Sequence, residues 1–134
     1  MTEFNAASYL EKLGLRATRP RQAIARILFS DGKNRHVTAE WLAEEVSQQG
    51  EPVALATIYN TLHSLADAGA LRMVRGTGQD NIVFDTYTHP HHHFLDERTG
   101  ELTDIPDGQL ALETLPVAPN GRTIAGYDIV IRIR

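Results

Sequence analysis

From residue 6 to residue 68 the apolar positions recur at helical spacing, and after residue 81 they alternate with polar ones. Residues 6–13 predict a short first helix, with Gly14 as its stop. Residues 19–30 predict a second, since Pro20 suits a first helical turn and Ile24, Ile27 and Leu28 recur at helical spacing. Thr38 reads as the N-cap of a third helix over 39–49, closed by Gly50. Its apolar stripe is Trp41 or Leu42 with Val46, and Trp41 is expected in the core. A fourth helix over about 55–68 ends at Gly69, with Leu55, Ile58, Leu62 and Leu65 facing inward. Thr57, Asn60, Thr61 and Ser64 then lie toward the opposite face, with Tyr59 at its edge.

Two β-rich stretches follow. Residues 71–74 and 81–85 flank a turn-rich segment at 76–80 and predict a hairpin. Helices followed by a hairpin is the order of a winged helix-turn-helix. Residues 91–97 and 101–105 flank Thr99-Gly100, a second hairpin signal. A short helical piece is expected over 109–115. The alternation of Ile129, Ile131 and Ile133 with Asp128, Val130 and Arg132 suggests a long strand within 123–134. The expected class is therefore α+β: an N-terminal winged helix-turn-helix domain over 1–85, a hinge at 86–90, and a small α/β domain over 91–134.

Composition narrows the chemistry. The chain has 134 residues and no cysteine, which excludes disulfides, thiolate zinc sites, iron–sulfur clusters and cysteine catalysis. Any metal must be held by nitrogen and oxygen. No apolar run approaches a membrane span, and residues 1–15 lack the pattern of a signal peptide, so cytoplasmic residence is expected. The net charge of −4 hides an asymmetry. Between residues 16 and 35 stand Arg16, Arg19, Arg21, Arg26, Lys33 and Arg35 against a single acid, Asp31. From residue 89 onward acids outnumber arginines. A basic front and an acidic, histidine-rich rear suggest two tasks.

The front can bind DNA. The polar face of the fourth helix has no lysine or arginine, so affinity must come from the Arg16–Arg35 cluster, with Arg16, Arg19 and Arg21 as the candidate phosphate contacts. Asn60 can pair bidentately with adenine, while Thr57 and Tyr59 can meet a thymine methyl or a phosphate. An AT-rich target is expected. At the rear, His89, His91, His92 and His93 place four of six histidines within five residues, with Asp96 and Glu97 just beyond. Packing alone does not account for such a density of imidazole. His63 reads as a structural or surface residue.

These residues also carry a resemblance. Leu15-Arg16-Ala17-Thr18-Arg19-Pro20-Arg21, His36-Val37-Thr38-Ala39, Ala56-Thr57-Ile58-Tyr59-Asn60-Thr61-Leu62 and His91-His92-His93-Phe94 resemble the ferric uptake regulator superfamily, in order and across almost the whole chain. Asn60, where most relatives carry arginine, the unbroken histidine run, and the ending from Leu115-Pro116-Val117 to Ile131-Arg132-Ile133-Arg134 look most like the iron response regulator branch. The resemblance implies a homodimer on AT-rich inverted repeats, with residues 91–134 serving dimerisation and sensing. It places Arg21, Thr57, Tyr59 and Asn60 at or near DNA.

The resemblance further implies a regulatory metal site of His36, Asp85, His91, His93 and Asp104, suited to Fe, Mn or Zn, whose occupancy would lock the hinge. The strand alternation agrees in part, since residues 91 and 93 share one face and His92 the other. The iron response branch adds heme as an effector, with His91, His92 and His93 as the candidate ligands. Asp96 and Thr99 stand where many relatives carry the first cysteine pair of a structural zinc site, so dimer stability must come from sheet pairing and apolar contacts. Tyr127 stands where a second-site histidine would be. A transcriptional regulator of iron or heme homeostasis is expected, not an enzyme. The alternatives are a manganese-, iron- or peroxide-responsive member of the same superfamily and, more remotely, a metallohydrolase or a metal-buffering module.

Overall fold

The structure, a computed structural model, describes residues 3–74 and 82–134. The expected turn at 76–80 and the adjoining Asn81 lie outside the described residues. Two compact units divide the described chain, one ending at Thr88 and the other starting at His89.

Four helices and a three-stranded sheet make the first unit. Helix α1 (Ala6–Lys12) begins where Asn5 Oδ1 accepts the Ser8 N–H at 2.9 Å. Gly14, at φ +79°, turns the chain away after it. Helices α2 (Arg19–Phe29) and α3 (Ala39–Gln48) start on Thr18 and Thr38, whose hydroxyls accept the N–H groups of Arg21 and Trp41. Helix α4 (Leu55–Asp67) has no side-chain cap. Leu10, Ile24, Leu28, Leu42, Val46, Ile58, Leu62 and Leu65 are fully buried and form one core.

Three positions depart from the pattern. Trp41 is 41% exposed and Leu55 42% exposed, both expected inside. In α3 the buried stripe is Ala39, Leu42 and Val46, which leaves Trp41 on the flank. In α4 it begins one turn later than expected, at Ile58, and Thr61 joins it instead of the polar face. The Thr61 hydroxyl donates to Thr57 O at 2.8 Å, so burying this side chain leaves no unsatisfied donor.

Strands β1 (His36–Val37), β2 (Arg72–Val74) and β3 (Val83–Asp85) form an antiparallel sheet in the order β1-β3-β2. Phe84, fully buried, stands between Val37 and Met73. The β2–β3 hairpin is the expected wing. β1 was not expected: two residues are too few to show a period, yet its register sets His36 opposite Asp85.

The second unit is a sheet of β4 (His93–Asp96), β5 (Leu102–Asp104) and β6 (Val130–Ile133) in the order β5-β4-β6. β4 and β5 are antiparallel, as the hairpin signal implies, and β6 runs parallel to β4. Side chains fasten the hairpin turn: Asp96 Oδ1 accepts the Arg98 N–H at 2.8 Å and Thr99 Oγ1 the Glu101 N–H at 3.2 Å. The two positions noted above for their lack of cysteine thus make hydrogen bonds in the turn.

Two expectations shrink here. The long strand reduces to the four residues that pair with β4. Residues 109–115 are not helical, and Leu112 and Leu115 are exposed. A short helix depends on packing its apolar face, and within this unit these leucines stay in solvent. One 3-10 turn, Pro119–Gly121, is the described helical piece. Among the described residues no helix is long and apolar enough to cross a membrane.

Candidate metal centre and nucleic-acid face

The first unit prepares one histidine–carboxylate pair. The β1–β3 register brings His36 Nε2 to 3.1 Å from Asp85 Oδ2. Asp85 is only 1% exposed, and its other oxygen accepts the Tyr87 N–H at 2.9 Å. The segment is tied down beyond β3 as well, because Arg35 N–H donates to Thr86 Oγ1 at 2.9 Å and Thr86 N–H to Arg35 O at 3.1 Å.

The second unit prepares a trio. His93 on β4 lies opposite Asp104 on β5, and both His91 and His93 are buried. His91 Nε2 and His93 Nε2 lie 3.2 and 3.3 Å from the same oxygen, Asp104 Oδ1. His91 Nδ1 sits 2.6 Å from the His89 carbonyl oxygen. A carbonyl can only accept, so Nδ1 carries the proton and the Nε2 of a neutral ring presents a lone pair. That lone pair then faces a carboxylate oxygen, an arrangement that a shared proton or a bound cation makes favourable. Fixing one imidazole nitrogen on a backbone carbonyl is how proteins orient histidine for a metal. The nitrogen and oxygen donors present fit a divalent cation such as Mn(II), Fe(II) or Zn(II).

His92 has a different environment. It is half-buried, its ring is stacked on Tyr127 with centroids 5.3 Å apart, and its Nδ1 accepts the Ile129 N–H at 3.2 Å. Ile129 O in turn accepts the His93 N–H at 3.1 Å. His92 therefore pegs the approach to β6 against the histidine run. The burial alternates as expected, although His91 lies just ahead of β4 and not within it. The His89 ring is exposed, while its carbonyl holds His91. His63 packs edge-on against Phe84 at 5.6 Å, a structural placement.

On α4, Thr57 and Asn60 are exposed and Tyr59 is half-buried. The Tyr59 hydroxyl donates to Glu40 Oε1 at 2.8 Å, and this bond pushes its pKa up. Glu40 escaped the sequence reading because an acid in a first helical turn ordinarily signals only a favourable helix dipole. Arg16 and Arg19 are exposed; Arg19 Nε lies 2.7 Å from Glu51. Arg21 Nη1 donates to Arg16 O at 3.4 Å. Arg35 grips Asp31 through two bonds of 2.8 Å, which hold the Asp31 carboxyl well below the usual carboxylate range and raise the guanidinium. Part of the basic cluster is thus already matched by acids.

A wing packed on a helical unit, followed by a strand unit rich in histidine and carboxylate donors, defines a winged-helix protein with an attached candidate metal-binding module. The sequence profile of the Ferric uptake regulator family matches residues 12–130, and the chain belongs to that family. Its members are metal-dependent transcriptional regulators that bind DNA as dimers. The chain is 32% identical over 118 residues to the ferric uptake regulation protein of Klebsiella pneumoniae, covering 88% of this chain and 74% of that one. It is 36% identical over 101 residues to the peroxide-responsive repressor PerR of Staphylococcus epidermidis, covering 75% and 65%. Its fold is similar to the ferric uptake regulator of Pseudomonas aeruginosa with manganese, at TM-score 0.71, 27% identity and 98% coverage of both chains. The Vibrio cholerae ferric uptake regulator is likewise similar, at TM-score 0.72, 25% identity and coverage of 97% and 99%.

Proposed function

We propose that this chain is a cytoplasmic transcriptional regulator that binds AT-rich inverted repeats as a homodimer, with affinity controlled by a divalent cation. The observation that carries the reading is the trio of His91, His93 and Asp104, its two imidazoles buried, with His91 already oriented by the His89 carbonyl. These three, with His36 and Asp85, are the ligand set that the family resemblance implies. Ligands drawn from both units would make the DNA-binding unit answer to the cation. Arg16, Arg19 and Arg21 supply phosphate contacts, and Thr57, Tyr59 and Asn60 read bases. The exposed Ile131 and Ile133 of β6 support a second copy covering that edge.

The physiological signal is iron or peroxide by analogy with the named relatives. Heme is a second reading, carried by the likeness of Asn60 and the histidine run to the iron response regulator branch. It meets a specific cost at His92. Because Nδ1 accepts the Ile129 N–H, the neutral ring keeps its proton on Nε2, and ligation there requires giving up that bond. His91 and His93 are buried, so heme access to them requires the trio to open. The divalent cation is therefore the better-supported effector.

The test is selection of random duplexes by the full chain, metal-free, with Mn(II), and with heme. Enrichment of AT-rich inverted repeats that depends on Mn(II) supports the reading. Enrichment of no duplex under any condition overturns it. A Soret shift with heme that disappears in His92→Ala would favour the heme reading instead.

A further inference from the structure

We propose that Glu40 sets the DNA specificity of this chain by holding the Tyr59 hydroxyl in place, while its charge lowers affinity for every duplex. The inference rests on the DNA-binding reading above and deepens it.

Tyr59 sits between Thr57 and Asn60, two exposed polar residues of α4, and its hydroxyl donates to Glu40 Oε1 at 2.8 Å. Glu40 stands on a fixed support. Thr38 caps α3 through the Trp41 N–H, and Ala39 and Leu42, on either side of Glu40 and Trp41, are fully buried. Neither partner needs the bond in order to be solvated, because Glu40 is exposed and Tyr59 half-buried. Exposed polar pairs of this kind contribute little to stability. The consequence of this bond is therefore positional. A phenol ring turns about two torsions, and anchoring its far end on a neighbouring helix favours one orientation of the ring.

The charge acts on affinity instead. Phosphate contacts supply affinity without sequence information, while base contacts discriminate. A carboxylate at this face weakens every duplex alike through the phosphates. An oriented Tyr59 strengthens only the duplex whose bases fit it. Only the oriented ring widens the ratio of specific to non-specific affinity; the charge lowers both affinities together.

The experiment compares wild type, Glu40→Ala, Glu40→Gln and Tyr59→Phe for binding to the selected duplex and to a scrambled duplex over a range of salt. Glu40→Ala should lower the specificity ratio roughly tenfold, the size of a lost charge-assisted hydrogen bond. Tyr59→Phe should weaken the selected duplex and spare the scrambled one. Glu40→Gln keeps an acceptor and loses the charge, so it should tighten both duplexes and hold the specificity ratio near wild type. Glu40 variants with wild-type affinities for both duplexes overturn the proposal. So does an equal loss on both duplexes with a lowered melting temperature, the mark of a merely structural residue. Wild type that prefers neither duplex overturns the DNA-binding reading itself, and this inference with it.

Discussion

The two units bury opposite kinds of surface. The first closes over leucine, isoleucine, valine and phenylalanine, from Leu10 to Phe84, and three of its four helices begin on side-chain caps. The second shares its interior between Leu95, Leu102 and Ile105 and the imidazoles of His91 and His93, while Leu115, Val117, Ile131 and Ile133 face solvent. A unit of fewer than 50 residues with so little apolar interior is at the margin of independent stability. The first unit holds itself together. On the proposed function the second would draw stability from what it binds, the dependence a sensor needs.

The largest expected effect tests the first half of this contrast. Phe84→Ala should cost about 3–5 kcal/mol in urea denaturation and abolish DNA binding, because the sheet and helices share that ring. Leu102→Ala in the second unit should cost about 2 kcal/mol, the low end for leucine. Equal losses would erase the contrast. For the second half, Mn(II) at a hundredfold excess over its Kd should stabilise wild type by about 2.7 kcal/mol. His93→Ala should gain nothing, as read by thermal melting with and without the metal. A cation that stabilises both proteins equally binds elsewhere.

Smaller effects belong to the face of the first unit. Asn60→Ala should lose about 1–3 kcal/mol of discrimination at the adenine it reads, with little change on other sequences. Arg16→Ala should weaken all duplexes alike and reduce the salt-dependence slope by about one. The smallest is a pH effect. Arg35 lowers the Asp31 pKa, so the pair stabilises the fold above the unfolded carboxylate range and loses that contribution as pH falls through the folded value. Asp31→Asn should flatten the acid limb of stability measured against pH.

How much was legible follows the same division. α2 and α3 could be read nearly to the residue, because Pro20, Thr38 and the spacing of Ile24, Leu28, Leu42 and Val46 all point one way. Trp41 and Leu55 were misplaced, since an apolar residue at the edge of a stripe or in the first turn of a helix is apolar without being inside. β1 left no trace, as two residues carry no period. In the second unit the β4–β5 hairpin was legible from Thr99-Gly100. The extents of β6 and of residues 109–115 were not, because their limits are set by hydrogen-bond partners and available surface, which lie far off in sequence. The trio was legible as residue types. The shared Asp104 oxygen, the His89 carbonyl behind His91 and the Ile129 bond to His92 belong to tertiary geometry.

The central claim is that cation and DNA are linked through this chain. Linkage is reciprocal: whatever factor the cation applies to DNA affinity, DNA must apply to cation affinity. The most direct measurement is a Mn(II) titration of the full chain, free and bound to its selected duplex, following free Mn(II) by electron paramagnetic resonance. The account predicts Mn(II) affinities differing by about 5- to 150-fold, the usual range of such coupling, with no difference in a His91→Ala/His93→Ala double variant. Superimposable titrations for wild type with and without the duplex would contradict it.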